Sequence, residues 1–412
     1  MRITRTQWPV GQGGFASGVI ESRGKEFVYV YDCGSTNIQA LRDSINALMP
    51  RGGRIDALFI SHLDADHCNG IEYLLSKYKV DSVFLPYLDN KGALLALAEA
   101  VEGDGVTRNL FEMITNSVSW LGQRGVKHIY LIHAAPEDDW HYSNDIGLDG
   151  PLIRRSEDDF ESGRDERRIP LHGRGPVLNS KTEDGVNSYE LDYDISLAVS
   201  VGSEVWALIP FVHPVSQVRL DAFAALVESS GINVSQGTGG LLSILTSAED
   251  RKTLKSAYRK IHSDHNCVSM SLYSGPIASL PSRGWYNHLR HGRNCHWSNF
   301  YYDSLEDQVG WLGTGDANFR GGRRVKALEA RYSHVMEHVG TLMCPHHGSR
   351  RNYSSRLLNV VSPEVVFAPV GKNNGYKHPH KEVVGNVLHR GKVFLKVTEK
   401  PSRKLIEIIE AL

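Results

Sequence analysis

Short apolar runs separated by polar breaks mark the first sixty residues. Gly18-Val19-Ile20-Glu21 and Glu26-Phe27-Val28-Tyr29-Val30-Tyr31 flank the break Ser22-Arg23-Gly24-Lys25. Two short apolar runs around a glycine-containing break predict a hairpin. The period then changes. Ile38, Leu41, Ile45 and Leu48 share one face of a helix over 38–48. A strand over 57–60, a helix over 70–77 and a strand over 82–85 follow. Alternating strand and helix favours a layered α/β architecture.

From residue 91 the rhythm breaks. Helical patterns over 92–101 and 107–124 precede a strand at 127–133, and the run from Ser156 to Arg168 mixes charges with little apolar content. Such a run predicts a solvated loop or lid. Residues 91–187 are read as a helical and loop insertion within one domain spanning 1–412. Strand patterns resume at 197–201, 204–209 and 269–273, with a helix over 218–229. A strand over 311–316 ends in Asp316, and a helix over 323–339 leads to a strand at 341–344 and then Pro345-His346-His347-Gly348-Ser349. A helix over 354–361, a strand over 365–370, the loop 371–379, a helix over 381–390 and strands at 393–397 and 405–409 complete the chain.

Composition changes this picture little. The 412 residues carry 46 Lys+Arg against 47 Asp+Glu, so any polyanion must be met by a local patch. Cys33, Cys68, Cys267, Cys295 and Cys344 are scattered and odd in number, unlike a disulfide framework. The N-terminus has no apolar core of signal-peptide length, no run reaches membrane-spanning length, and a cytosolic protein without membrane association is expected.

The chemistry concentrates in Ser61-His62-Leu63-Asp64-Ala65-Asp66-His67, at the end of a predicted buried strand. Imidazoles and carboxylates at this spacing suit zinc, manganese or iron. As a purely structural feature, Asp66 would cap the following helix. Three further strand ends present Asp316, the pair His346 and His347, and His378. In layered α/β folds functional groups gather where loops leave one end of a sheet. Other clusters carry less. His288, His291, Cys295 and His296 lack a familiar zinc spacing, and His262, His265 and Cys267 precede a strand. His334 and His338 share a helix face without the Glu of a protease motif, and Gly11-Gln12-Gly13-Gly14 reads as a turn.

His62-x-Asp64-x-Asp66-His67 resembles the metallo-β-lactamase-fold signature, in the variant with Asp at its second His position. Val10–Gly14, Val30–Ser35, Ser61–Gly70, Leu208–Pro214, Asp264–Gly275, Trp311–Ala317, Cys344–Ser349 and Val370–Pro379 occur in the order of the ComEC-like branch. That branch includes the hydrolase domain of DNA-uptake channels. The resemblance implies a four-layer αββα sandwich with two divalent ions, Zn2+ or Mn2+. It places His62, Asp64 and a histidine of the His346-His347 pair on one ion. Asp66, His67 and His378 would hold the other, with Asp316 bridging. His347 is carried as the ligand, and Asp66, His346 and His347 as candidate catalytic groups. Gly14 departs from the branch, which often has Asp there, and no channel accompanies the domain.

Two such ions would hold a hydroxide at neutral pH and polarise a substrate oxygen. A phosphodiester suits the site, with Asp66 orienting the attacking oxygen, the spare histidine serving the leaving group, and Asp32 fixing an imidazole. Arg320–Arg324, Ser349–Arg356 and the aromatic-basic stretch Trp285–Arg293 suggest nucleic acid or a nucleotide as substrate. Ser349, Arg350, Arg351, Arg323 and Asn374 are its candidate contacts. A lactone, thioester or other ester is the rival substrate. A metal-bearing nucleic-acid or partner-binding subunit without turnover is the rival class.

Overall fold

In a computed structural model, residues 1–102, 106–138, 140–142, 168–232, 241–261, 268–277, 285–291 and 308–411 are described. They build two sheets packed face to face, with helices on both outer faces. From edge to edge the first sheet begins with strands Trp285–His291, Leu405–Ala411, Arg2–Gln7, Ala16–Ser22 and Lys25–Tyr31. It continues with Arg54–Phe59, Lys79–Pro86, His128–Ile132, Val186–Leu191 and Val177–Glu183. The second runs Val393–Val397, Val365–Pro369, Val339–Met343, Gly310–Gly313, Met270–Gly275, Glu204–Val212, Ser196–Val201 and Leu171–Arg174.

Side-chain alternation explains the layering. In strand Lys25–Tyr31, Val28 and Val30 face the helices while Tyr29 and Tyr31 face the other sheet. The inter-sheet core takes Phe59, Phe84 and Tyr130 from neighbouring strands. Phe59 stacks on Phe84 at 4.8 Å and Phe84 on Tyr130 at 4.6 Å between ring centroids. These rings sit opposite each other in register, so cross-strand pairing and burial act together. Opposing them are Trp206, Leu208, Leu272 and Phe367. The second sheet's outer face packs Ile209, Leu342 and Val366 against Val325, Leu328 and Val387 of the helices that cover it.

Both sheets have a parallel block. Lys25–Tyr31, Arg54–Phe59, Lys79–Pro86 and His128–Ile132 are parallel neighbours, as are Gly310–Gly313, Val339–Met343 and Val365–Pro369. Their C-terminal ends put the loops bearing Asp32, His62 and Asp316 at one rim, with those of His346, His347 and His378.

Several elements differ from the sequence reading. The helix expected over 107–124 is two, Arg108–Thr115 and Ser117–Gly122. Asn116 leaves helical geometry at φ −153°, and its side chain caps Ser119 N. The helix expected over 323–339 stops at Tyr332, and a 3-10 turn, Met336–His338, replaces its end. Trp285–His291 is a strand at the edge of the first sheet. Trp285 packs on Trp206, and Asn287 donates to Glu407 at 2.7 Å. Within 91–187, the helix Asn90–Glu102 packs on the first sheet, and strands His128–Ile132 and Val177–Glu183 extend that sheet. Most of the charged run after Ser156, with Cys267, His262, His265, Arg293, Cys295 and His296, lies outside the described residues.

Candidate metal centre

The loop after strand Arg54–Phe59 is held from below by two glycine-bearing loops. Gly14 N donates to Asp66 O, Cys33 N to His67 O, and Gly70 N to Cys33 O. A Cβ on Gly14 would lie 2.6 Å from His67 Nδ1 and 2.8 Å from Asp32 Oδ2, and one on Gly34 would lie 2.5 Å from the backbone of Asp66 and Cys68. Only a residue without a side chain lets these backbones meet. The Gly11–Gly14 turn is thus the floor of the site, and Gln12 reaches its cavity.

Asp32 organises the first histidines. It is fully buried, with left-handed φ of 58°. Its carboxylate accepts from Ser61 N at 2.7 Å, Ser61 Oγ at 2.7 Å and His67 Nδ1 at 2.8 Å. Because Ser61 Oγ spends its proton on Asp32, it accepts from His62 Nδ1 at 2.9 Å. Both imidazoles then carry the Nδ1 proton and turn Nε2 inward.

Asp316, after strand Gly310–Gly313, stands between two groups of side chains. Its Oδ2 lies 3.9 Å from His62 Nε2 and 3.6 Å from His346 Nε2. Its Oδ1 lies 3.3 Å from His67 Nε2 and 3.6 Å from His347 Nε2. Asp64 Oδ2 joins the first group, 3.9 Å from His62 Nε2, and Asp66 Oδ2 the second, 3.4 Å from His347 Nε2. His62, His67 and Asp316 have ligand atoms within 4.8 Å of one another, as do Asp66, His67 and His347, so His67 borders both groups.

His346 and His347 are adjacent yet both face Asp316, because both have left-handed backbones, at φ 47° and 55°. Such geometry in non-glycine residues is strained and is retained where it positions functional groups. His347 is buried and its Nδ1 donates to Pro369 O at 2.9 Å, leaving Nε2 for the centre. His346 reaches the cavity with its side chain 20% exposed. His378 sits 5.7 Å from His346 between ring centroids and also lines the cavity. Asn374 fixes its loop by accepting from His378 N and donating to the carbonyls of Gly371 and His378, all at 2.8 Å.

Whether this set fits cations can be judged from its electrostatics. The Nε2 atoms of His62, His67 and His347 are buried and make no hydrogen bond. Desolvation, with Asp66 and Glu99 beside it, pushes the Asp64 carboxyl well above its ordinary range. Burial alone would lower His67, but Asp316, Asp32 and Asp66 raise it well above the ordinary imidazole value. Burial and the neighbouring His67 bring His62 down to about 4. Burial opposes ionisation of Asp66 too, but His67 and His347 outweigh it and hold the carboxyl at about 2. A crowd of buried carboxylates around imidazole Nε2 atoms that make no hydrogen bond is a donor set that divalent ions satisfy.

The remaining predicted residues divide. Ser349, Arg350 and Arg351 line a cavity of about 550 Å3 in front of the centre. Arg323 instead pairs with Glu137 at 3.1 Å, and Asn374 braces the His378 loop. Glu99 and Glu102 of helix Asn90–Glu102 form part of the cavity wall, which their place in an apolar helical run did not announce.

Residues 12–91 match the sequence model of the metallo-beta-lactamase superfamily, a stretch that includes His62, Asp64, Asp66 and His67. No curated protein sequence matches the chain. Among solved structures, a point mutant of CmlA beta-hydroxylase aligns over the whole chain at 11% identity and a TM-score of 0.37. The chain spans 53% of that protein's length.

Proposed function

We propose that this chain is a dinuclear-metal hydrolase of phosphodiesters, acting on nucleotides or nucleic acid. The observation that carries the reading is Asp316, whose two oxygens each face a different pair of imidazoles. His62, Asp64 and His346 would hold one ion, and Asp66, His67 and His347 the other; this sets His347 beside Asp66, where the resemblance has His378, and keeps His378 as a further ligand beside His346. Zinc or manganese suits these ligands. When bound, a pair of divalent ions lowers the pKa of water and neutralises charge on a phosphoryl oxygen. Placement in the ComEC-like branch belongs to the same proposal.

The chain's own residues supply the rest. Asp32 keeps both Nδ1 protons fixed, so the rings do not turn during turnover. Burial, together with His346 and His347, lowers His378 to about 4. Neutral and on the cavity beside His346, its imidazole keeps a lone pair for an ion, the ligand role the resemblance gives it. Arg351, on the cavity wall, supplies positive charge for a non-reacting phosphate oxygen. The test is to load the protein with Zn2+ or Mn2+ and follow cleavage of a generic phosphodiester, dinucleotides, single-stranded DNA and RNA. Turnover of at least one, lost in Asp66→Asn with the fold intact, is expected. Cleavage of a lactone or thioester alone would refute the reading.

A further inference from the structure

The cavity in front of the centre has two unlike walls. One carries Arg350, Arg351 and, from the loop before His378, Tyr376. The other is helix Asn90–Glu102, which contributes Glu99, Ala100 and Glu102. Glu102 is bonded from behind by Arg259 at 2.6 Å and Lys255 at 3.4 Å, and Glu99 accepts from Tyr258 Oη at 3.1 Å. Among the described residues lining the cavity, the guanidiniums therefore stand on one wall and the glutamate carboxylates on the other. Its volume of about 550 Å3 falls in the range of small-molecule sites, roughly 300–1,000 Å3.

Tyr376 is an aromatic ring 62% exposed in a protein that buries most of its aromatics. It stacks on His378 at 5.8 Å with an interplanar angle of 28°. The loop that presents it is fixed by the three hydrogen bonds of Asn374, so the ring is held in place beside the centre. Arg350 is engaged by Glu382 at 2.6 Å, whereas no carboxylate among the described residues pairs with Arg351.

We infer that Tyr376 and Arg351 form a one-nucleotide subsite, with a base stacked on the tyrosine and its phosphate on the guanidinium, so that the enzyme takes dinucleotides or strand ends and excludes duplex and closed circles. This rests on the phosphodiesterase reading and names its substrate class. A ring stacks on any base, and a single guanidinium binds the phosphate beside it.

The test compares a dinucleotide with the same molecule lacking one base. Binding is measured by calorimetry on Asp66→Asn protein, and cleavage on the metal-loaded active chain. The intact dinucleotide should be preferred tenfold or more in both assays, the order of magnitude one stacked base contributes. Tyr376→Ala should bring the ratio of intact to abasic close to one, Tyr376→Phe should keep it, and Arg351→Ala should weaken both ligands. Circular single-stranded DNA should not be cut. Equal binding of the two ligands, a ratio unmoved by Tyr376→Ala, or cleavage of the circle at the dinucleotide's rate would overturn the inference. Preferential binding with no phosphodiester turnover would uphold the subsite and overturn the proposed activity instead.

Discussion

Replacing Asp32 with Asn tests how the centre is preorganised. Three donors converge on this carboxylate: Ser61 N, Ser61 Oγ and His67 Nδ1. An amide keeps one acceptor oxygen and turns an NH2 group toward a donor. Either Ser61 or His67 must then give way, and if Ser61 Oγ rotates, the Nδ1 partner of His62 goes with it. One substitution therefore loosens an imidazole in each proposed ion's set. Loss of such an orienting partner lowers metal affinity about 10–100-fold, or about 1.4–2.8 kcal/mol. A buried donor left unsatisfied adds about 1–3 kcal/mol of lost stability in the metal-free protein. Chelator competition reads the first effect and urea unfolding of the stripped protein the second. Stability lost with metal affinity unchanged would refute the orienting role and leave Asp32 as packing alone.

Further expectations follow from the same geometry. Gly14→Ala places a methyl 2.6 Å from His67 Nδ1 and should lower metal content while leaving the far side of the fold intact, read by elemental analysis beside circular dichroism. His67 is raised well above its ordinary value, and His347 is raised too, burial opposing but Asp316 and Asp66 prevailing. Both gain protons in the metal-free protein that a metal must displace, so apparent metal affinity should rise with pH through neutrality. Calorimetry in buffers of different ionisation enthalpy should detect proton release, and a pH-independent affinity would contradict the assignment. Phe84→Ala removes the middle ring of the Phe59–Phe84–Tyr130 stack and should cost about 3–5 kcal/mol in chemical denaturation.

Some of this is legible along the chain because it is local. The four polar residues of His62–His67 follow a buried strand directly, and Asp316, His346 and His347 follow apolar runs, while His378 comes after the loop 371–377. Other features depend on partners distant in sequence. Strand Val177–Glu183 is exposed along its whole length, so it has no alternation to read. Trp285–His291 looks like a basic aromatic surface, but its pairing with Leu405–Ala411 turns it into a sheet edge, where His291 Nε2 meets Lys396 O at 3.0 Å. The Arg323 side chain meets Glu137 across 186 positions, a pairing no spacing reveals. The roles of His346 and His347 could not be separated by composition. The separation comes from burial and from the Pro369 carbonyl that pins His347.

Anomalous diffraction from crystals of the manganese- or zinc-loaded protein tests the dinuclear centre most directly. Two peaks are predicted, one beside each oxygen of Asp316, the first near His62 and Asp64 and the second near His67 and His347. A single peak, or peaks remote from Asp316, would contradict the account.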